Sequence, residues 1–322
     1  MQNTDIFLYP GQGSQHVGMG LDLYKAYAPA RERFAQADRL LGFRLSELCF
    51  EGPEEDLNSD VNAQLAMYTV CCIITDLLKS QGRSPAAASG YSAGFYAAAY
   101  AAGCFDFEAG LRVVRLAGES ILGELQDADG CMAVIFGLGP EPVERICERS
   151  GRVWIAIVNT PRQIVISGTR AHVEHALLLA KEGGALDTYY LPVAAAYHSP
   201  LLRHSAQHFL AGLADIPLRA PHTRLVSYTS LEPVADSDAL ARIMADQLTG
   251  RVFWVDLIEK LNGAGPCRWF EVGPGEVLAR TIRWIDRGID VCGIGHAQQL
   301  RALAQDQNGG RAACSQQECY QA

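Results

Sequence analysis

Gly90-Tyr91-Ser92-Ala93-Gly94 sets a serine between two glycines, and Tyr197-His198-Ser199-Pro200 follows much further along the chain. A serine so placed suits a tight strand-to-helix elbow. There its side chain is exposed, and its neighbours must be small enough for backbone and substrate to approach. A serine hydroxyl is a weak nucleophile at neutral pH and needs a base, for which histidine is best matched. The pair points to acyl transfer through a covalent serine ester. A Gly-x-Ser-x-Gly string arises by chance in about one chain in ten of this size. What singles this one out is a turn signal before it and helix formers after it. The other histidines (His16, His172, His175, His204, His208, His222 and His296) read as surface or packing residues.

The elements that must hold these two groups are legible in outline. Asp5–Tyr9 is a short apolar run ending at Pro10-Gly11, a buried strand entering a loop. Helical spacing covers 17–42 and 61–80. Residues 84–91 are alanine-rich and poor for a strand by propensity; a strand is assigned because the elbow needs one. Helices are expected over 94–102 and 106–125. Strands follow at 131–137, 153–158 and 163–167, with a helix from Pro140 and another over 169–182 capped by Thr169. A strand at 189–193 completes a β-α-β-β-α-β order, the ferredoxin-like split pattern. It lies between the serine and the histidine and so reads as an insertion. Beyond His198 come helices over 200–213, 235–247 and 254–262, strands near 224–227 and 267–272, and a last helix. The tail from Arg301 is rich in Gln, Ala and Gly and is expected to be mobile.

Composition narrows the function classes. The chain has 322 residues, long enough for one large α/β unit with an inserted subdomain. A net charge of −9 leaves no basic footprint for nucleic acid. The ten cysteines show no CxxC pair and no metal-ligand spacing, and most sit in apolar runs such as that around Cys71 and Cys72. Reduced thiols are expected, and no metal. The N-terminus lacks a basic, then apolar, leader, and the apolar runs read as too short to span a bilayer. A cytoplasmic protein without membrane partners is the expectation.

Several further motifs occur in a fixed order. Pro10-Gly-Gln-Gly-Ser-Gln15 precedes the elbow; Asn159-Thr-Pro161 and Val165-Ile-Ser-Gly168 precede His198; Gln247-Leu248 and Glu271-Val-Gly-Pro-Gly275 follow it. Together they resemble the malonyl-CoA:acyl-carrier-protein transacylases and the acyltransferase domains of polyketide synthases, over roughly residues 5–295. The resemblance implies an α/β fold. An α/β-hydrolase-like large subdomain with a parallel sheet (1–127 and 198–300) would carry an inserted ferredoxin-like small subdomain (128–197), with 301–322 as tail. It also implies roles. Ser92 would be the nucleophile and His198 the base. The backbone N–H groups of Gln12 and Ala93 would stabilise the oxyanion. Gln247 would orient the histidine through its carboxamide or its carbonyl. Asn159 would stand at the mouth of the site, Tyr91 and Tyr197 beside the acyl group. The Gly273-Pro274-Gly275 turn lacks phosphate-loop spacing and reads as structural, and Ser14 and Gln15 read as shaping their loop.

One departure bears on substrate. Malonyl-selective members carry an arginine within R-x-V-x-x-R-G, whose guanidinium grips the free carboxylate. Here the stretch is Arg112-Val-Val-Arg-Leu-Ala-Gly118, and the clamp position holds Ala117. Arg115 lies two residues away, a helical rotation of about 200°. A register two residues off would make Arg115 the clamp instead. Tyr91 replaces the family's usual histidine, and Phe95 its usual glutamate; both aromatics, with Ala117, would line the acyl site close to the nucleophile. An unpaired carboxylate in a mostly apolar pocket costs several kcal/mol, so the pocket is expected to take a neutral, larger acyl group. The leading expectation is a trans-acting acyltransferase of polyketide or related assembly, moving a non-malonyl acyl group between acyl-carrier-protein or CoA thioesters. An acyl-carrier-protein thioester hydrolase is the second. Malonyl transfer comes third and a non-catalytic carrier-protein-binding subunit fourth. The substrate would arrive on phosphopantetheine, and no other cofactor is implied.

Overall fold

The computed structural model describes residues 4–122, 129–265 and 267–306. The chain opens with β1 (Asp5–Tyr9) and passes through α1 (Leu21–Ala26), α2 (Ala28–Leu41), α3 (Leu45–Glu51) and α4 (Glu54–Leu57). The long α5 (Asp60–Ser80) leads to β2 (Ala87–Gly90), α6 (Gly94–Ala101) and α7 (Phe107–Leu122). Next come β3 (Gly130–Phe136), α8 (Pro140–Ser150), β4 (Val153–Thr160), β5 (Gln163–Thr169), α9 (Arg170–Glu182) and β6 (Asp187–Tyr190). The chain continues through α10 (Arg203–Leu213), β7 (Arg224–Leu225), α11 (Ser237–Asp246) and α12 (Trp254–Asn262). It closes with β8 (Arg268–Val272), α13 (Val277–Ile285), β9 (Val291–Ile294) and α14 (Ala297–Asp306).

Two sheets result. The larger is parallel, in the order β7-β2-β1-β8-β9. Its central strand β1 is buried throughout, as its unbroken apolar run requires. The smaller is antiparallel, in the order β4-β5-β3-β6, the arrangement of a ferredoxin-like β-α-β-β-α-β unit. Alternation divides its strands between two cores. Cys131, Ala133 and Ile135 of β3 pack with α8 and α9, whereas Met132 and Val134 join the main core, as does Val165 of β5.

β2, Ala-Ala-Ser-Gly, forms despite weak strand propensity, because α6 crosses directly over it and over β1. Only small residues allow that approach: a Cβ on Gly94 would overlap the Tyr9 carbonyl oxygen.

Several expectations need correction. α5 is long and apolar enough to cross a membrane, with mean hydropathy 1.5 over its most apolar window. Polar residues such as Thr69 and Thr75 interrupt the apolar run, yet the mean stays high, and 83% of the window is packed inside the protein. Thr169 occupies the N-cap of α9, but its hydroxyl bonds the His172 ring rather than the helix backbone. The strand expected at 189–193 lies at Asp187–Tyr190. Residues 301–306 continue α14, anchored by Leu300 in the core, and the remainder of the tail expected to be mobile lies outside the described residues. β9 has no counterpart in the sequence reading. Its glycine-interrupted VCGI pairs with β8 at the sheet edge. Every described cysteine is a free thiol; Cys314 and Cys319 lie outside the described residues.

Candidate active site

Ser92 follows β2 and precedes α6, with φ at 51°, in the left-handed region that L side chains rarely adopt. Such strain persists where surrounding structure over-determines it. Here a Cβ on either Gly90 or Gly94 would meet backbone, which clamps the turn from both sides. The first loop closes over the elbow: a Cβ on Gly11 would overlap the Tyr91 carbonyl oxygen.

His198, also at positive φ (57°), brings Nε2 to 2.8 Å from Ser92 Oγ. Its Nδ1 lies 3.0 Å from the Gly250 carbonyl oxygen, and its backbone N–H donates to the Leu248 carbonyl at 2.9 Å. A proton on Nδ1 satisfies that carbonyl and leaves the Nε2 lone pair for the serine hydroxyl. Burial pushes the imidazole down to about 4, against the backbone carbonyls of Gly250 and Gln247, which pull it up. The ring is therefore neutral at neutral pH, the form a general base requires.

Of the two groups expected to orient the ring, the Gln247 backbone carbonyl bonds the imidazole, and the carboxamide Nε2 has no hydrogen-bond partner among the described residues. Gln247 stands at the C-cap of α11, so its main-chain carbonyl and that of Gly250 face the ring in one turn. Among the described residues the amides of Gln12 and Ala93 donate to no acceptor, as a pair reserved for an oxyanion would.

Around this centre the remaining expected residues divide. The Tyr91 hydroxyl donates to Asn159 Oδ1 at 2.5 Å, tying the elbow to β4, and its ring meets Trp254 edge-on at 5.2 Å. Tyr197 donates to Asp60 Oδ2 at 2.8 Å. Phe95 was expected against the acyl group, but it has no exposed surface. It lies under the elbow, edge-on to Tyr228 at 6.0 Å, because the first turn of α6 points it into the core. Ala117 is likewise fully enclosed. Arg115 faces solvent and pairs with Glu119 at 2.7 Å, while Arg112 donates to the Asp215 carbonyl. Neither arginine of α7 turns toward the serine.

Gln15 accepts from the Gly13 amide and donates to Asn58, which fits a loop-shaping role. Gly273 and Gly275 lie against Pro10 and Ser14, so the Gly273-Pro274-Gly275 turn supports the first loop from below. Glu271 is enclosed and accepts from the Leu278 and Ala279 amides, capping α13. Among the described residues no group of three or more His, Cys, Asp or Glu is placed to hold a metal ion.

Residues 6–302 match the family model described as the acyl transferase domain. The chain belongs to the acyl transferase domain family. It is 32% identical over 303 residues to the malonyl CoA-acyl carrier protein transacylase of Bacillus subtilis, covering 93% of this chain and 96% of that protein. The Escherichia coli K12 protein of the same name is 34% identical, covering 87% and 92%. The polyketide biosynthesis protein PksE of Bacillus subtilis is 35% identical, but there the match spans 36% of the relative. Among solved structures, a malonyl-transacylase in complex with its type II PKS acyl-carrier protein superposes with TM-score 0.91 at 29% identity, covering 94% of this chain and all of that one. An acyl-carrier-protein S-malonyltransferase from Bartonella henselae gives 0.90 at 33%, covering 94% and 98%.

Three residues of this acyl transferase domain were not singled out in the sequence. Gly250 supplies the acceptor for His198. Tyr228 is buried with its ring 6.2 Å from that of His198. Its hydroxyl has no partner of ordinary geometry. Burial raises the phenol well above its usual range, with the nearby Ser92 hydroxyl pulling the other way. Asp60, at the start of α5, accepts from the Gln12 side chain at 2.6 Å. No motif marks any of the three, since each meets the site only through the fold.

Proposed function

We propose that this protein moves a neutral, non-malonyl acyl group between thioesters of an acyl carrier protein or CoA, through an ester on Ser92. His198 Nε2 takes the hydroxyl proton as Oγ attacks the thioester carbonyl, and the charge on the former carbonyl oxygen falls between the Gln12 and Ala93 amides. Collapse breaks the carbon–sulfur bond, and Nε2 returns the proton to the departing thiolate. A second carrier thiol then gives its proton to Nε2, attacks the ester carbonyl and regenerates Ser92. Phosphopantetheine enters with the substrate. The malonyl-transacylase complex with its acyl-carrier protein, so close in fold, supports a carrier protein as partner.

The observation that carries the choice of acyl group is the orientation of α7. Arg115 pairs with Glu119, Arg112 donates to the Asp215 carbonyl, and Ala117 carries no charge to offer a carboxylate. A free carboxylate would enter with no α7 cation to pair it. The full-length similarity to proteins named as malonyl transacylases favours malonyl transfer as a second reading.

Mass spectrometry of the intact protein after exposure to malonyl, acetyl and longer acyl thioesters tests both. Labelling by neutral groups in preference to malonyl is expected, with the label removed by holo carrier protein as a thioester. Preferential malonyl labelling would establish the second reading. Release of free acid at the same rate without an acceptor thiol would identify a hydrolase.

A further inference from the structure

Asp60 is held where the two working loops meet. Its Oδ1 accepts from Gln12 Nε2 at 2.6 Å, and its Oδ2 accepts from the Tyr197 hydroxyl at 2.8 Å and the Ala194 amide at 3.2 Å. Gln12 belongs to the loop proposed above to meet the oxyanion, and Tyr197 adjoins His198. All three donors are neutral, and among the described residues no cation pairs with this carboxylate. Its place in the first turn of the 21-residue α5 favours negative charge. The Gln12 side chain is thereby committed: Nε2 goes to Asp60, while Oε1 faces Gln64 Nε2 at 3.4 Å.

From this geometry we infer that Asp60 is a specificity-determining residue, a fixed negative charge that turns away acyl groups bearing a free carboxylate and admits neutral ones. The inference rests on the neutral-acyl reading proposed above. Two like charges in a partly desolvated cleft repel far more strongly than in water. An acyl carboxylate brought to Ser92 would share the Gln12 and Tyr197 loops with Asp60, with no counter-ion from α7 to offset the repulsion. The exclusion therefore has two parts, a missing cation and an added anion.

The test measures Ser92 labelling by malonyl and butyryl thioesters, each offered on CoA and on holo carrier protein. Asp60→Asn keeps an acceptor oxygen but removes the charge. It is expected to raise the malonyl-to-butyryl loading ratio about tenfold, which corresponds to ~1.4 kcal/mol. Asp60→Ala supplies the same readout should the asparagine variant fail to fold. If wild type prefers butyryl and neither variant moves the ratio, the Asp60 inference is overturned while the neutral-acyl reading stands. A parallel fall in both loadings, the mark of a purely positioning role, overturns it too. If wild type loads malonyl as readily as butyryl, the neutral-acyl reading falls and takes the inference with it.

Discussion

Ser92 and His198 both sit in left-handed backbone conformations, with φ of 51° and 57°, and meet through Oγ and Nε2 at 2.8 Å. Two independently strained residues facing one another mark a site whose geometry is imposed by the whole fold. His198→Ala should therefore slow acylation of Ser92 by about 10²–10⁴-fold, the usual worth of a positioned base. Single-turnover labelling measures this, and a loss under threefold would remove His198 from the mechanism.

The base also fixes the pH dependence. His198 is held at about 4, against an ordinary 6.5, chiefly by burial. It works only when neutral, so acylation should stay flat from neutrality downward and fall only near pH 4. Linkage gives stability the same sign. Between pH 6.5 and about 4 the unfolded chain takes up a proton that the folded one refuses, so stability drops as pH falls through that window. A rate profile breaking near 6.5 would contradict the buried, neutral ring.

Gly94→Ala should be structurally costly, because the new methyl would overlap the Tyr9 carbonyl oxygen. A loss of about 2–4 kcal/mol in denaturant unfolding is expected, together with loss of labelling. An active variant of unchanged stability would show that α6 does not cross the sheet as closely as described.

Arg115→Ala separates the two registers of α7. With Arg115 bonded to Glu119 at the surface, its removal should leave acyl preference unchanged and cost under about 0.5 kcal/mol. A selective loss of malonyl loading would place its guanidinium in the pocket after all.

Tyr228→Phe removes a buried hydroxyl near the Ser92 hydroxyl that makes no hydrogen bond of ordinary geometry among the described residues. Its loss should cost the fold under about 1 kcal/mol. A changed rate of ester turnover with unchanged Tm would mean that the hydroxyl meets the substrate. Unchanged kinetics would assign Tyr228 to packing alone.

Ser92 and the Gln12 loop are legible in the chain because each lies in a short string whose glycines answer a local need, and His198 because it stands in the Tyr-His-Ser-Pro string of the resemblance. The same holds for the inserted sheet, whose alternating strands and punctuating helices announce themselves. β2 was readable only by necessity, since Ala-Ala-Ser-Gly answers to the crossing helix and not to strand preference. Asp60, Gly250 and Tyr228 stayed hidden for another reason. The Asp60 contacts with Gln12 and Tyr197 join residues 48 and 137 positions apart, and no local pattern records such meetings. The motif marks Gln247, but nothing marks the second acceptor at Gly250, because a main-chain carbonyl leaves no trace in residue type. Phe95 was assigned to substrate from its neighbourhood to Ser92, although adjacent helical positions point in different directions.

Met132, Val134 and Val165 belong to the main core, while their neighbours along the same strands belong to the small one. Swinging the inserted lobe outward would tear apolar contacts on both sides of one sheet at once. The inserted lobe is therefore expected to move little against the larger sheet when a substrate binds, since a shift would break both cores together.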